Sequence, residues 1–109
     1  MPAGHIYPKA IQNINAVVSN GFLGFSYDVI ENYNADTFSG TNTNQYSYQF
    51  PITAISLKLI TIDGVSSLFE MSCQNEQVSF AKGEYLNIST GDTLDIGDVY
   101  GLIVSTLGI

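Results

Sequence analysis

Along most of this chain apolar and polar side chains alternate with a period of two, the spacing of a strand that turns one face to a core and the other to water. After the tight-turn pair Asn20-Gly21, Phe25, Tyr27, Val29 and Tyr33 fall on one face and Ser26, Asp28 and Asn32 on the other. Glu31 is the exception on the apolar side. Tyr46, Tyr48 and Phe50 alternate with Ser47 and Gln49, and Pro51 ends that strand or bends it at a sheet edge. Ile55, Leu57 and Leu59 oppose Ser56 and Lys58; Phe69, Met71 and Cys73 oppose Glu70 and Ser72; Val78 and Phe80 return to the core side. The predicted inward face is therefore Ile55, Leu57, Leu59, Phe69, Met71, Val78 and Phe80. Turn residues separate these runs: Asp63-Gly64, lengthened by Val65, Ser66 and Ser67, then the polar Gln74 to Gln77, then Lys82-Gly83-Glu84 before a short strand from Tyr85 to Ile88.

Three segments are less regular. In residues 1–20, Pro2 and Pro8 oppose regular structure at the start. Ile11, Ile14 and Val18 match a helical spacing, whereas the Asn content and the β-branched Val17 and Val18 oppose it, which favours a partly extended N-terminal arm ending in a strand. Such an arm either ties a subunit to its neighbours or frays. Residues 34–45 are polar and aperiodic, a surface loop and the longest in the chain. The C-terminal stretch is expected to hold a brief strand through Leu94 and Ile96, a turn at Gly97-Asp98 and a last strand. That last strand is apolar on both faces, with Val99, Ile103 and Leu107 on one and Tyr100, Leu102 and Val104 on the other. A strand of this kind is central in a sandwich or meets a neighbouring subunit, which makes Tyr100, Leu102 and Val104 candidate subunit-interface residues. The sum is an all-β chain of about eight strands with no long helix, a single antiparallel β-sandwich or jelly roll over residues 1–109.

Composition narrows the function. At 109 residues, 45% of them hydrophobic, the chain makes one core without help from disulfides or metal. Only 12% of the residues are charged, against about 25% in an average globular domain, so few ions oppose association of its surfaces. The net charge of −7 leaves Lys9, Lys58 and Lys82 as the only cationic side chains besides His5. Three scattered lysines form no basic patch, which excludes phosphate-neutralising nucleic-acid binding and disfavours anionic membranes. No apolar run is long enough for a membrane span, and the N-terminus lacks the layout of a signal peptide, so synthesis in the cytoplasm is expected.

The chain carries little catalytic equipment. His5 is the only histidine and Cys73 the only cysteine, the latter inside an apolar alternation that marks a core position. A His-based metal centre or a Ser-His-Asp triad has too few members. Glu70, Glu76 and Glu84 sit at outward or turn positions rather than as a facing acid pair. Asp92, Asp95 and Asp98 supply oxygen ligands of the type calcium prefers, but their spacing departs from the EF-hand pattern and each also reads as a turn or surface residue. No catalytic residue, metal ligand or cofactor is assigned. A platform for a sugar or partner is the remaining candidate: Tyr33, Asn42, Asn44, Tyr46 and Tyr48 offer aromatic faces for stacking and amides for hydroxyl groups. Asn87-Ile88-Ser89 matches a glycosylation sequon, relevant only to a secreted eukaryotic protein.

The order of features from Ile55 to Ile88, an apolar strand ending in an acidic turn (LITIDGVSS), a strand with a core aromatic (LFEMSC), a polar hairpin (QNEQ) and then VSFAKGEY, resembles small capsid-associated proteins of bacteriophages. The nearest likeness is the single jelly-roll penton, or vertex protein, of tailless icosahedral phages. The resemblance implies a non-enzymatic structural protein located in the virion, a homo-oligomer and a pentamer if it forms a vertex, in contact with other virion proteins. The departures are a more acidic balance and a shorter chain than the family suggests, which keep decoration, spike-base and tail roles open. The alternative from a different class is a carbohydrate-binding β-sandwich module that uses the Tyr33 to Tyr48 region.

Overall fold

The computed structural model describes residues 6–81, the backbone of 85–86, and residues 95–108. Two sheets, antiparallel apart from one short parallel pairing, enclose the main core, and a helix packs against both. The first sheet contains β1 (Ile6–Ser19), β2 (Phe22–Asn34), β3 (Thr43–Pro51) and the two-residue β7 (Tyr85–Leu86), in the order β3-β2-β1-β7. A single 3-10 turn, Ile52–Ala54, leads to the second sheet, β4 (Ile55–Ile62), β5 (Val65–Cys73) and β6 (Glu76–Ala81), in the order β4-β5-β6. Among the described residues each sheet is thus a meander in which chain neighbours are sheet neighbours, with β7 added parallel to β1.

Three hairpins set the registers with two-residue turns. Asn20 (φ 54°) and Gly21 (φ 80°) join Ser19 to its partner Phe22, and Asp63 (φ 53°) and Gly64 (φ 79°) join Ile62 to Val65. Both central residues of each turn are left-handed, the geometry whose twist matches that of the flanking strands. The turn at Asp63-Gly64 is therefore shorter than the sequence suggests, since Val65 already pairs across it. The Gln74-Asn75 turn is likewise tight, because Glu76 is already opposite Cys73.

The inward faces follow from these registers. Leu23, Phe25, Tyr27 and Phe50 from the first sheet meet Phe69, Met71, Cys73, Val78 and Phe80 from the second, all buried. Ile55, Leu57 and Leu59 are half-buried on the same face, so the inward set predicted for β4, β5 and β6 holds throughout. Phe80 is the hub: its ring lies 5.1 Å edge-on to Tyr27, 6.3 Å from Phe25 and 6.1 Å from Phe69. Burying each such side chain contributes about 1.5–3 kcal/mol.

Two segments depart from expectation. The N-terminal arm is a 14-residue strand inside the sheet from Ile6 onward, between β2 and β7. The register steps from Tyr7↔Tyr33 to Lys9↔Glu31, past Pro8, which has no N–H to give. A β-bulge between Gln12 and Asn15, with Asn13 at φ 55°, puts Ile11, Ile14 and Ala16 on the core. The three-residue interval from Ile11 to Ile14 that imitates a helix is this bulge.

The second departure is the last strand, which is instead the helix α1, Ile96–Leu107. Val99, Ile103 and Leu107 are spaced by four, so a helix stacks them on one stripe, and Val99 and Ile103 are fully buried. Asp95 caps the helix: its side chain accepts from the Asp98 N–H at 2.8 Å, and the Asp98 side chain accepts from the Asp95 N–H at 3.2 Å. Gly108, at φ 77°, closes the other end with N–H contacts to the Val104 and Ser105 carbonyls. Of the segment expected as a strand through Leu94 and Ile96, Asp95 is the helix cap and Ile96 is helical, and Leu94 lies outside the described residues. Asp92, the rest of 87–94, Lys82 to Glu84 and residues 1–5 lie outside the described residues.

Candidate binding cleft

The strands of the first sheet outrun those of the second, and the uncovered part of its inner face forms a cleft of about 240 Å³ lined by residues of β1, β2, β3 and β6. Its floor is Ile11, Val29 and Tyr27, and β6 closes one side with Phe80 and Ser79. Lys9 and Glu31 face each other in register at its mouth. Tyr46 and Asn44 project from the edge strand β3.

The aromatic wall is built by register. Tyr27 lies opposite Tyr46 and Phe25 opposite Tyr48, and on one face of an antiparallel pair such neighbours touch. The Tyr27 and Tyr46 rings stack at 5.5 Å, Tyr27 and Tyr48 at 6.2 Å, and Tyr48 and Phe50 at 5.7 Å with their planes only 7° apart. Phe80 braces Tyr27 from the second sheet. Tyr46, at the end of this ladder, is 42% exposed and presents aromatic surface to the solvent.

The polar wall is held by the loop between β2 and β3. The Glu31 N–H donates to the Asn42 carbonyl and the Thr41 N–H to the Glu31 carbonyl, both at 2.9 Å. The Asn42 side-chain amide donates to Glu31 Oε2 at 3.2 Å, which orients the carboxylate. The Asn34 N–H donates to the Ser39 carbonyl at 2.7 Å, and the Asp36 N–H to Asn34 Oδ1 at 2.9 Å. Gly40 lies so close to β2 that a Cβ there would overlap the Ile30 side chain and the Glu31 carbonyl oxygen. The stretch read as an open surface loop is thus folded back on its strand, and it covers a second small core of Ala10, Ile30 and Tyr33.

Of the residues proposed as a ligand platform, Asn44 and Tyr46 line the cleft and Asn42 holds its carboxylate. Tyr48 stands behind Tyr46 in the stack and is half-buried. Tyr33 is the exception: it is fully buried with Ala10 and Ile30, after Asn32 at φ 51° has turned the strand, and takes no part in an exposed platform. Sequence reasoning missed Lys9, Tyr27, Glu31 and Ser79. The visible signal was Glu31, a carboxylate on an otherwise apolar face.

The candidate interface residues lie on α1 rather than on a strand. Tyr100 packs edge-on against Phe69 at 5.8 Å and borders an apolar hollow of about 350 Å³ with Ile52, Ile55, Leu57 and Leu107. Val104 is half-buried and Leu102 exposed. Other large apolar side chains stand in solvent around the hairpin turns, with Val17 and Phe22 beside Asn20-Gly21 and Ile62 and Val65 beside Asp63-Gly64. Ile52 joins the first group, its N–H bonded to the Gly21 carbonyl at 3.0 Å.

Asp95 and Asp98 serve the helix N-terminus, and among the described residues no cluster of three or more His, Cys, Asp or Glu side chains is placed to hold a metal ion. Cys73 is a buried free thiol. No helix among the described residues is long and apolar enough to cross a membrane. Comparisons with protein-family models, with curated proteins and with solved structures find no match to this chain.

Proposed function

We propose that this chain is a structural protein of a virus particle, a penton or other minor capsid protein that works by associating with copies of itself and with coat subunits. The observation that carries the reading is the set of large apolar side chains left in solvent at the hairpin turns, Val17, Phe22 and Ile52 in one group and Ile62 and Val65 in another. Apolar surface at the turns of a chain with 12% charged residues meets little electrostatic opposition to contact. The reading needs only the two-sheet β fold; a five-fold ring is its sharpest form. Light scattering coupled to size exclusion, together with co-sedimentation with assembled particles, tests it. A closed oligomer, or entry into particles, is expected. A protein that is monomeric at every concentration and stays out of particles overturns it.

A second reading, a carbohydrate-binding module, is favoured by the cleft itself, where the exposed Tyr46 ring lies beside the Asn44 amide and the Asn42-held Glu31 carboxylate. Its volume suits one ring of a glycan with the chain continuing into solvent. A glycan array with wild type and Tyr46→Ala tests it: binding lost with the ring supports the module, and an empty array removes it.

A further inference from the structure

Each sheet edge is a row of unpaired N–H and C=O groups, and edges that stay solvated are blunted by charge, bulges or brevity. Among the described residues, three of the four edges are blunted in this way. The strand β4 carries Lys58 and an irregularity between Ile60 and Thr61, and β6 is six residues long with Glu76 at its start; β7, with two described residues, covers only Ala10 and Ile11 of β1, whose remaining edge carries Lys9 and is broken by the bulge between Gln12 and Asn15. The fourth edge, β3, has nine residues, Thr-Asn-Gln-Tyr-Ser-Tyr-Gln-Phe-Pro, with no charged side chain and no register break against β2. Pro51 is its only blunting device, and it sits at the last position.

The sequence of β3 is also complementary to itself. If a second copy lies antiparallel about a two-fold axis through Ser47, Ser47 meets Ser47, Tyr46 meets Tyr48, and Gln45 meets Gln49, so all nine residues are paired. Facing residues in an antiparallel pair share a face of the sheet. The Tyr46–Tyr48 pairs would therefore fall on the inner face and extend the Tyr27–Tyr46 stack across the axis. The Gln and Ser pairs would fall on the outer face, with no like charges opposed.

We infer that two copies of this chain pair antiparallel along β3, about a two-fold axis at Ser47, and join their first sheets into one. The occupant is a second copy because the uncharged, palindromic Gln45 to Gln49 meets itself residue for residue, with Asn44 opposite Phe50 and Thr43 opposite Pro51 at the two ends. This contact is isologous, and it is separate from the heterologous contacts that a five-fold ring requires. The inference rests on the self-association reading above, and the two can fail separately.

Ser47 is exposed on the outer face, which makes it a suitable probe. Ser47→Lys sets two ammonium groups against each other at the axis and leaves the monomer core untouched. Ser47→Cys brings two thiols to a separation suited to a disulfide, since facing Cα atoms lie about 4.5–5.5 Å apart, while Cys73 stays buried. In sedimentation velocity and non-reducing electrophoresis, the expected result is a two-fold species in wild type, its loss in Ser47→Lys with a melting temperature equal to that of wild type diluted to the monomer, and a covalent dimer of Ser47→Cys under mild oxidation. An oligomer that survives Ser47→Lys with no Ser47→Cys cross-link overturns the β3 contact and leaves self-association standing. A wild-type monomer at all concentrations overturns the β3 contact, and overturns the reading above as well if the protein also stays out of assembled particles.

Discussion

Gly40→Ala tests whether the loop between β2 and β3 is a packed part of the fold. The added methyl overlaps Ile30 Cγ2 and the Glu31 carbonyl oxygen, and the latter is backbone of a strand paired on both sides. The strand cannot yield, so the loop must. Overpacking of a fitted contact costs about 1–3 kcal/mol. If the loop lifts instead, the Glu31–Asn42 and Thr41–Glu31 backbone bonds are lost, at about 1 kcal/mol each, and Ile30 and Tyr33 are uncovered. Both routes give a loss of about 1–3 kcal/mol, or roughly 4–12 °C in melting temperature for a domain of this size. Urea unfolding followed by far-UV circular dichroism measures it, with a lower midpoint and an unchanged slope expected. Gly101→Ala is the control: nothing lies within 4 Å of a Cβ there, so in a helix it should stabilise by about 0.5–1 kcal/mol. A Gly40→Ala midpoint equal to wild type would falsify the packed-loop account.

Other substitutions probe other parts of the fold. Asp95→Ala removes the acceptor for the Asp98 N–H and should cost about 1 kcal/mol, with Asp95→Ser recovering most of it in the same urea titration. Phe80→Ala empties the centre of the aromatic cluster; a loss of about 3–5 kcal/mol is expected, and less than 1 kcal/mol would show that Phe80 is not the hub. Asn13→Ala puts a Cβ-branched-free but non-permissive residue at φ 55° and removes the 2.9 Å bond to Asp28. It should cost about 1–2 kcal/mol, while Asn13→Gly, which tolerates the backbone, should cost less.

The second sheet was legible because its one irregularity, between Ile60 and Thr61, falls beyond the core-facing Ile55, Leu57 and Leu59, and two-residue turns restart the count between its strands. The first sheet was legible only where it is regular. The bulge at Asn13 shifts the core positions from Ile11 to Ile14, and a left-handed Asn32 moves Tyr33 to the second core, so alternation alone misplaces both. The helix was missed because its β-branched and Gly content suits a strand, while the evidence for it lay in the four-residue spacing of Val99, Ile103 and Leu107 and in the Asp95-to-Asp98 cap. Of the cleft, only Asn44 and Tyr46 on its lining, and Asn42 behind Glu31, were visible as platform residues. Lys9 and Glu31 come together only through the β1–β2 register, and Ser79 arrives from the other sheet.

The position of α1 has a consequence for the order of folding. Each meander is made of contacts between chain neighbours, so each can form as soon as its own strands have left the ribosome, with little loop-closure entropy to overcome. The helix touches β1, β4 and β5 and bridges about ninety residues of chain to reach the first strand. Until it docks, the core side of both sheets stays open along β1 and beside Leu57 and Phe69 and can meet another chain in the same state. Contact between two partly folded copies is therefore in kinetic competition with the docking of the helix, whose start is fixed by the cap at Asp95.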